Sequence, residues 1–152
     1  MDIDAPSALI GQFRETFEGT EPPWITSGGP ASGIFGTIRD VDDAKATAEP
    51  FPGGKTIAGH VAHLIFSLEL FLDRLKGGNP PADWGSSFDL NGRDWASLES
   101  QLRVSYNACL AEMRSHLTMP IAEWPAIHVV GISAMTAHNA YHLGALRQLV
   151  KV

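Results

Sequence analysis

Ile57, Val61, Leu64, Leu68, Leu72 and Leu75 recur at three- and four-residue spacing, a continuous apolar stripe along about 20 residues that only an α-helix presents on one side. Thr56 stands where a helix cap is needed, and Gly77-Gly78 stops the run. A second stripe of the same period, Trp95, Leu98, Leu102, Tyr106, Cys109, Met113 and Leu117, follows Asp94 as cap and closes at Pro120. Leu9, Ile10, Phe13 and Phe17 predict an earlier helix over Pro6 to Glu18, ended by Gly19, and Gly131 to Val150 is apolar enough for a buried last helix. The Gly- and Pro-rich span from Thr20 to Gly54 reads as a long crossover holding two short helices, Ile34 to Val41 and Asp43 to Ala48. Lys76 to Asp94 is a second long loop, and Ile121 to Val130, with Trp124-Pro125, reads as a connection. No internal repeat and no strand-like alternation stands out, so the expected fold is an all-α four-helix bundle with long crossover connections.

The chain has 152 residues, enough for one core and too few for two ordinary domains, so residues 1–152 are expected to form a single domain. With 44% hydrophobic and 18% charged residues it has the composition of a globular protein. No apolar run reaches the roughly 20 residues of a membrane span, and the acidic start MDIDAPSALIGQF lacks the basic region of a signal peptide, so a cytoplasmic location is expected. The lone Cys109 excludes an internal disulfide and a cysteine-built zinc site, and its place in an apolar stripe makes it a small core residue. A net charge of −6 with 11 scattered Lys and Arg argues against nucleic acid as a partner and leaves a small molecule as the expected substrate.

Histidine carries the chemistry. In TAHNAYHLGALRQLV, His138 and His142 are four residues apart and leave one side of the last helix. Gly131, Met135, Ala145 and Leu149 project in nearly the same direction, whereas Asn139, Arg147 and Lys151 project elsewhere, so this side is read as the core-facing one. Imidazoles aimed into a core need partners for their ring nitrogens, at about 1–3 kcal/mol for each left unsatisfied. Hydrogen-bonded histidines at a helix contact are one solution; a metal ion is another. In GHVAHL, His60 and His63 share a side of the second helix, and a bundle can bring the two pairs together. Three neutral imidazoles with one open position are a catalytic zinc arrangement, and imidazole also suits nickel, iron and copper.

The stretch GPASGIFGTIRDVDDAKATAEPFPGGKTIAGHVAHL, with its short helix, Pro-Gly turn and hydroxyl-initiated helix leading to a histidine, resembles the DinB/YfiT-like four-helix-bundle family. AHNAYHLGALRQL is similar to that family's final-helix motif, His-x-x-x-His with an aromatic before the second histidine and a glycine two residues after it. With the tryptophan-led third helix the likeness runs from Gly29 onward. It implies one divalent metal ion, zinc or nickel foremost, held by His138, His142 and the histidine seven residues after Thr56, which is His63. His60 is the alternative for that place and is otherwise a neighbour that supports or packs against the ligands. His116 and His128 fall outside the motifs and are expected on the surface or in loops, although His128 could approach the site from just before the last helix. At Gly144-Ala145 many relatives have Gly followed by Gln, so any polar contact made there is missing here.

The resemblance implies a metal-dependent hydrolase or a transferase that activates a low-molecular-weight thiol such as mycothiol or bacillithiol. Either would work through the ion's charge, which lowers the pKa of a water or stabilises a thiolate. Glu69, Asp73 and Glu112 are weak candidates for a general base, a solvated helix face being the plainer reading. A non-catalytic metal-bearing binding or dimerisation module in stress response predicts the same histidines without turnover. Homodimers are also implied, with Trp84, Trp95 and Trp124 belonging to an interface or to the core.

Overall fold

A computed structural model describes residues 4–152; Met1–Ile3, the first part of the acidic start, lie outside it. The described residues form six α-helices and a 3-10 turn, with no strand among them. Four long helices make the bundle: α1 (Ala5–Glu18), α4 (Ile57–Leu75), α5 (Trp95–Ser115) and α6 (Ala126–Leu149). Contacts run in a closed circuit, α1 on α6, α6 on α4, α4 on α5 and α5 on α1. Two short helices of the crossover cover its sides, α2 (Ile34–Ile38) against α1 and α6, and α3 (Asp43–Thr47) against α4 and α5.

Each cap expected from the sequence is made. The Thr56 hydroxyl accepts from the Gly59 N–H at 2.9 Å and the Asp94 carboxylate from the Ser97 N–H at 2.8 Å, while Asp4 caps α1 through the Ser7 N–H at 2.9 Å. Gly19 ends α1 with φ at +65°, a conformation that disfavours a side chain. Leu64, Leu68, Leu98, Leu102, Cys109 and Met113 are fully buried, as the stripes require, and the Cys109 thiol donates to the Leu68 carbonyl. Leu117 departs from its stripe. It lies past the end of α5 and is 40% exposed, because the helical register that would turn it inward has already stopped.

The crossover is pinned by a buried acid. Glu15 on α1 is 1% exposed, and its carboxylate accepts from the backbone N–H groups of Trp24, Ile25 and Thr26 at 2.7–3.0 Å. Burial pushes its pKa up, but these bonds to the ionised form outweigh it and hold the group below the ordinary glutamate value.

The last helix begins five residues before Gly131, at Ala126. Pro125 precedes it, and a proline at a helix entrance removes an N–H that would have had no partner, so Trp124-Pro125 starts the helix where it had suggested a connection. The buried side of α6 is also rotated from the one expected. Ile132, Thr136, Asn139, Leu143 and Leu146 form the core stripe, roughly 100° around the helix from the line through Gly131, Met135, His138 and His142. Asn139, expected to point elsewhere, is fully buried. Phe71 near the end of α4 sits so close to Gly131 near the start of α6 that an added Cβ would lie 2.8 Å from its ring, and His63 near the start of α4 meets His138 in the later half of α6, so the two helices are antiparallel neighbours.

Trp95 and Trp124 are buried, whereas Trp24 and Trp84 are exposed. No helix of the described residues is long and apolar enough to cross a membrane.

Candidate metal centre

Antiparallel packing sets the first turns of α4 beside the last turns of α6, and this brings the two histidine pairs together. One ring nitrogen from each of His63, His138 and His142 lies within 4.8 Å of the other two. The His63 and His138 Nε2 atoms are 3.0 Å apart. Zinc bonds of about 2.05 Å at the tetrahedral angle put ligand nitrogens roughly 3.3 Å apart, so this pair would have to open by only a few tenths of an ångström. The rotated core stripe explains the exposure of the site. His138 and His142 sit at its edge, His142 buried and His138 partly open.

Two of the three rings are oriented by a neighbour. The Ser87 hydroxyl donates to the Trp84 carbonyl at 2.8 Å, so its oxygen accepts from His63 Nδ1, also at 2.8 Å. The proton is thereby held on Nδ1 and the Nε2 lone pair is left for the site. His60 is not among the three grouped nitrogens; its Nδ1 meets the Nδ1 of His142 at 2.9 Å, giving that ring an outward partner too. Phe88 stacks on His63 with ring centres 4.2 Å apart. Trp84 stands 6.0 Å from the His63 ring and Tyr141 5.2 Å from that of His142, both exposed to solvent at the rim.

The electrostatics suit a cation. Burial, reinforced by the neighbouring imidazoles, pushes His63 down to about 4 and His142 to about 3; burial also lowers His60 and His138. All four are neutral at pH 7, the form that ligates metals. Nδ1 of His138 is buried without a hydrogen-bond partner, so the converging rings do not satisfy all of their ring nitrogens among themselves. The residues present therefore fit a divalent ion, and this buried triad can hold one.

The remaining candidates lie elsewhere. Glu69 accepts from Gln101 and Ser105 across the α4–α5 contact, and Asp73 is exposed. His116 ends α5 and is partly open. His128, expected on the surface or in a loop near the site, is 2% exposed and inside α6, fourteen residues before His142. Because α6 starts early, His128 falls on its core stripe. Ser87 and Phe88 had no signal in the sequence: they belong to the long loop after α4, whose path no periodicity records.

A model of the DinB superfamily matches residues 34–146, which include all three histidines. No curated protein and no solved structure matches the chain. The match spans well over half the chain and agrees with the helical architecture and the histidine pairs, and the chain belongs to the DinB superfamily.

Proposed function

We propose that this protein is a metal-dependent enzyme that holds one divalent ion, zinc or nickel, on His63, His138 and His142 and acts on a small substrate, either as a hydrolase or as a transferase of a low-molecular-weight thiol. The observation that carries this reading is the convergence of three neutral imidazole nitrogens within 4.8 Å, with no carboxylate in that group among the described residues. Three ligands leave a fourth position for substrate, as in catalytic rather than structural zinc sites. A bound ion would supply Lewis acidity, favouring the ionised form of a thiol or water brought to it.

The chain's own residues prepare that position. Ser87 keeps the His63 proton on Nδ1, and His60 steadies His142 from behind. Phe88, Trp84 and Tyr141 wall the site with rings that shed water and can hold the carbon frame of a substrate. The Lys55 ammonium lies 5.1 Å from the centre of the Phe88 ring, where it favours an anionic substrate and disfavours positive charge on His60. Homodimerisation, with exposed aromatics such as Trp24 and Trp84 available for contact, is proposed alongside and is read by light scattering.

The deciding experiment is a screen of metal-loaded protein with thiols paired with electrophiles, run beside simple activated esters. Metal-dependent turnover that needs the thiol supports the transferase. Ester turnover that needs metal but no thiol makes the protein a hydrolase, and turnover in neither returns it to a binding role.

A further inference from the structure

At the opposite end of α6 a second group of ligand-type side chains meets. His128 lies one turn before Ile132 on the core stripe and is 2% exposed, yet neither of its ring nitrogens has a hydrogen-bond partner among the described residues. One of those nitrogens is a donor and the other an acceptor in the neutral ring, so both kinds of demand go unmet in the core. Burial and the adjacent His116 lower its pKa, which keeps the ring neutral.

The facing residues are suited to meet the lone-pair side of that demand through a shared ion. The His116 ring centre is 4.0 Å from that of His128. His116 Nδ1 is 3.0 Å from the Glu112 backbone carbonyl, a contact in which the nitrogen donates, so Nε2 carries the lone pair. Glu112 precedes His116 by one helical turn on α5, and no cation pairs with its carboxylate among the described residues. One ligand atom each from Glu112, His116 and His128 falls within 4.8 Å of the others. The site is roofed by Trp124, which is itself fixed by donating to the His116 and Met119 carbonyls at 3.1 and 3.2 Å and whose ring centre lies 6.2–6.4 Å from both imidazoles. Fourteen residues of helix, about 21 Å, separate His128 from His142, so the two clusters cannot share an ion.

We propose that Glu112, His116 and His128 form a second site for a divalent transition ion of the zinc class, at the end of the bundle away from the three-histidine centre. Two imidazoles and a carboxylate are a zinc-type donor set, whereas magnesium and calcium prefer oxygen throughout. The single ion per chain expected from the motifs then becomes two at saturation.

The full chain, stripped with chelator and titrated with zinc chloride by calorimetry, tests this. Wild type takes up two ions. Glu112→Gln and His116→Ala each lose one, or bind it at least about tenfold more weakly. A His138→Ala/His142→Ala chain keeps one ion, which disappears when Glu112→Gln is added; this arm stands whether or not the three-histidine centre binds metal. Glu112 and His116 are only partly buried, so their variants keep the fold that His128→Ala would open with a cavity, and circular dichroism verifies it. The proposal is overturned if Glu112→Gln and His116→Ala match wild type in stoichiometry and, within twofold, in affinity. It is equally overturned if the His138→Ala/His142→Ala chain binds no zinc.

Discussion

Replacing Ser87 with alanine removes one oxygen atom and, with it, the acceptor for the His63 Nδ1 proton, 2.8 Å away. The site is closed to easy replacement by water, since Ser87 is 4% exposed and Phe88 stacks on the same ring. His63 then either leaves a buried N–H unsatisfied, at about 1–3 kcal/mol, or moves its proton to Nε2, where it blocks the lone pair needed by the metal. Loss of such an orienting partner typically weakens metal affinity about 10–100-fold, or roughly 1.4–2.7 kcal/mol, and the two estimates agree. Competition against a chromophoric zinc chelator measures the change, with Ser86→Ala as control, because the Ser86 hydroxyl contacts only exposed Asp83. Binding at this centre by Ser87→Ala within twofold of wild type would refute the assignment of His63 Nε2 as ligand and Ser87 as its positioning residue.

Glu15→Ala should lower unfolding free energy by about 3 kcal/mol, since three backbone N–H groups lose a charged acceptor, with denaturant titration as the measure. The stability that Glu15 supplies is present above its ordinary pKa of 4.5 and is lost as pH falls through its lower folded value, so the deficit of the variant should shrink in acid. For the metal-free protein the histidines act in a higher window. The unfolded chain takes up protons near pH 6.5 that folded His63 and His142 refuse until about 4 and 3, so stability is complete above about 6.5 and declines as pH drops below it; thermal melts from pH 8 to 4 would contradict this if they show no decline. Chelation should leave the helical circular-dichroism signal intact, because the core is built from side chains without the ion, while zinc at about 100 times Kd should add roughly 2.7 kcal/mol and raise Tm by about 5–10 °C. Collapse of the helical signal on chelation would make the metal a structural staple.

Much of this architecture was legible because periodicity and caps are local. Thr56 and Asp94 mark their helices unambiguously, and the leucines behind them face one way. The same locality put His138 and His142 on one side of the last helix, whereas the choice of His63 over His60 rested on the resemblance to the DinB-like family; the structure groups His63, not His60, with that pair. Orientation of α6 was not readable. Ile127 and Val130 are apolar yet 38% and 66% exposed, so the helix is apolar nearly all round and its core stripe is chosen by what α1 and α4 offer, not by its own pattern. That choice buried Asn139 and His128 and left His138 at the edge. Ser87 escaped notice for another reason: its partner lies 24 residues away, across a loop whose geometry is set by tertiary contact.

The central claim is that His63, His138 and His142 hold an ion together, and elemental analysis of purified protein after exhaustive dialysis tests it most directly. His63→Ala, His138→Ala and His142→Ala, each verified as helical, should carry one divalent ion per chain fewer than wild type, whatever is bound near Glu112. Metal content equal to wild type in all three variants would contradict the account.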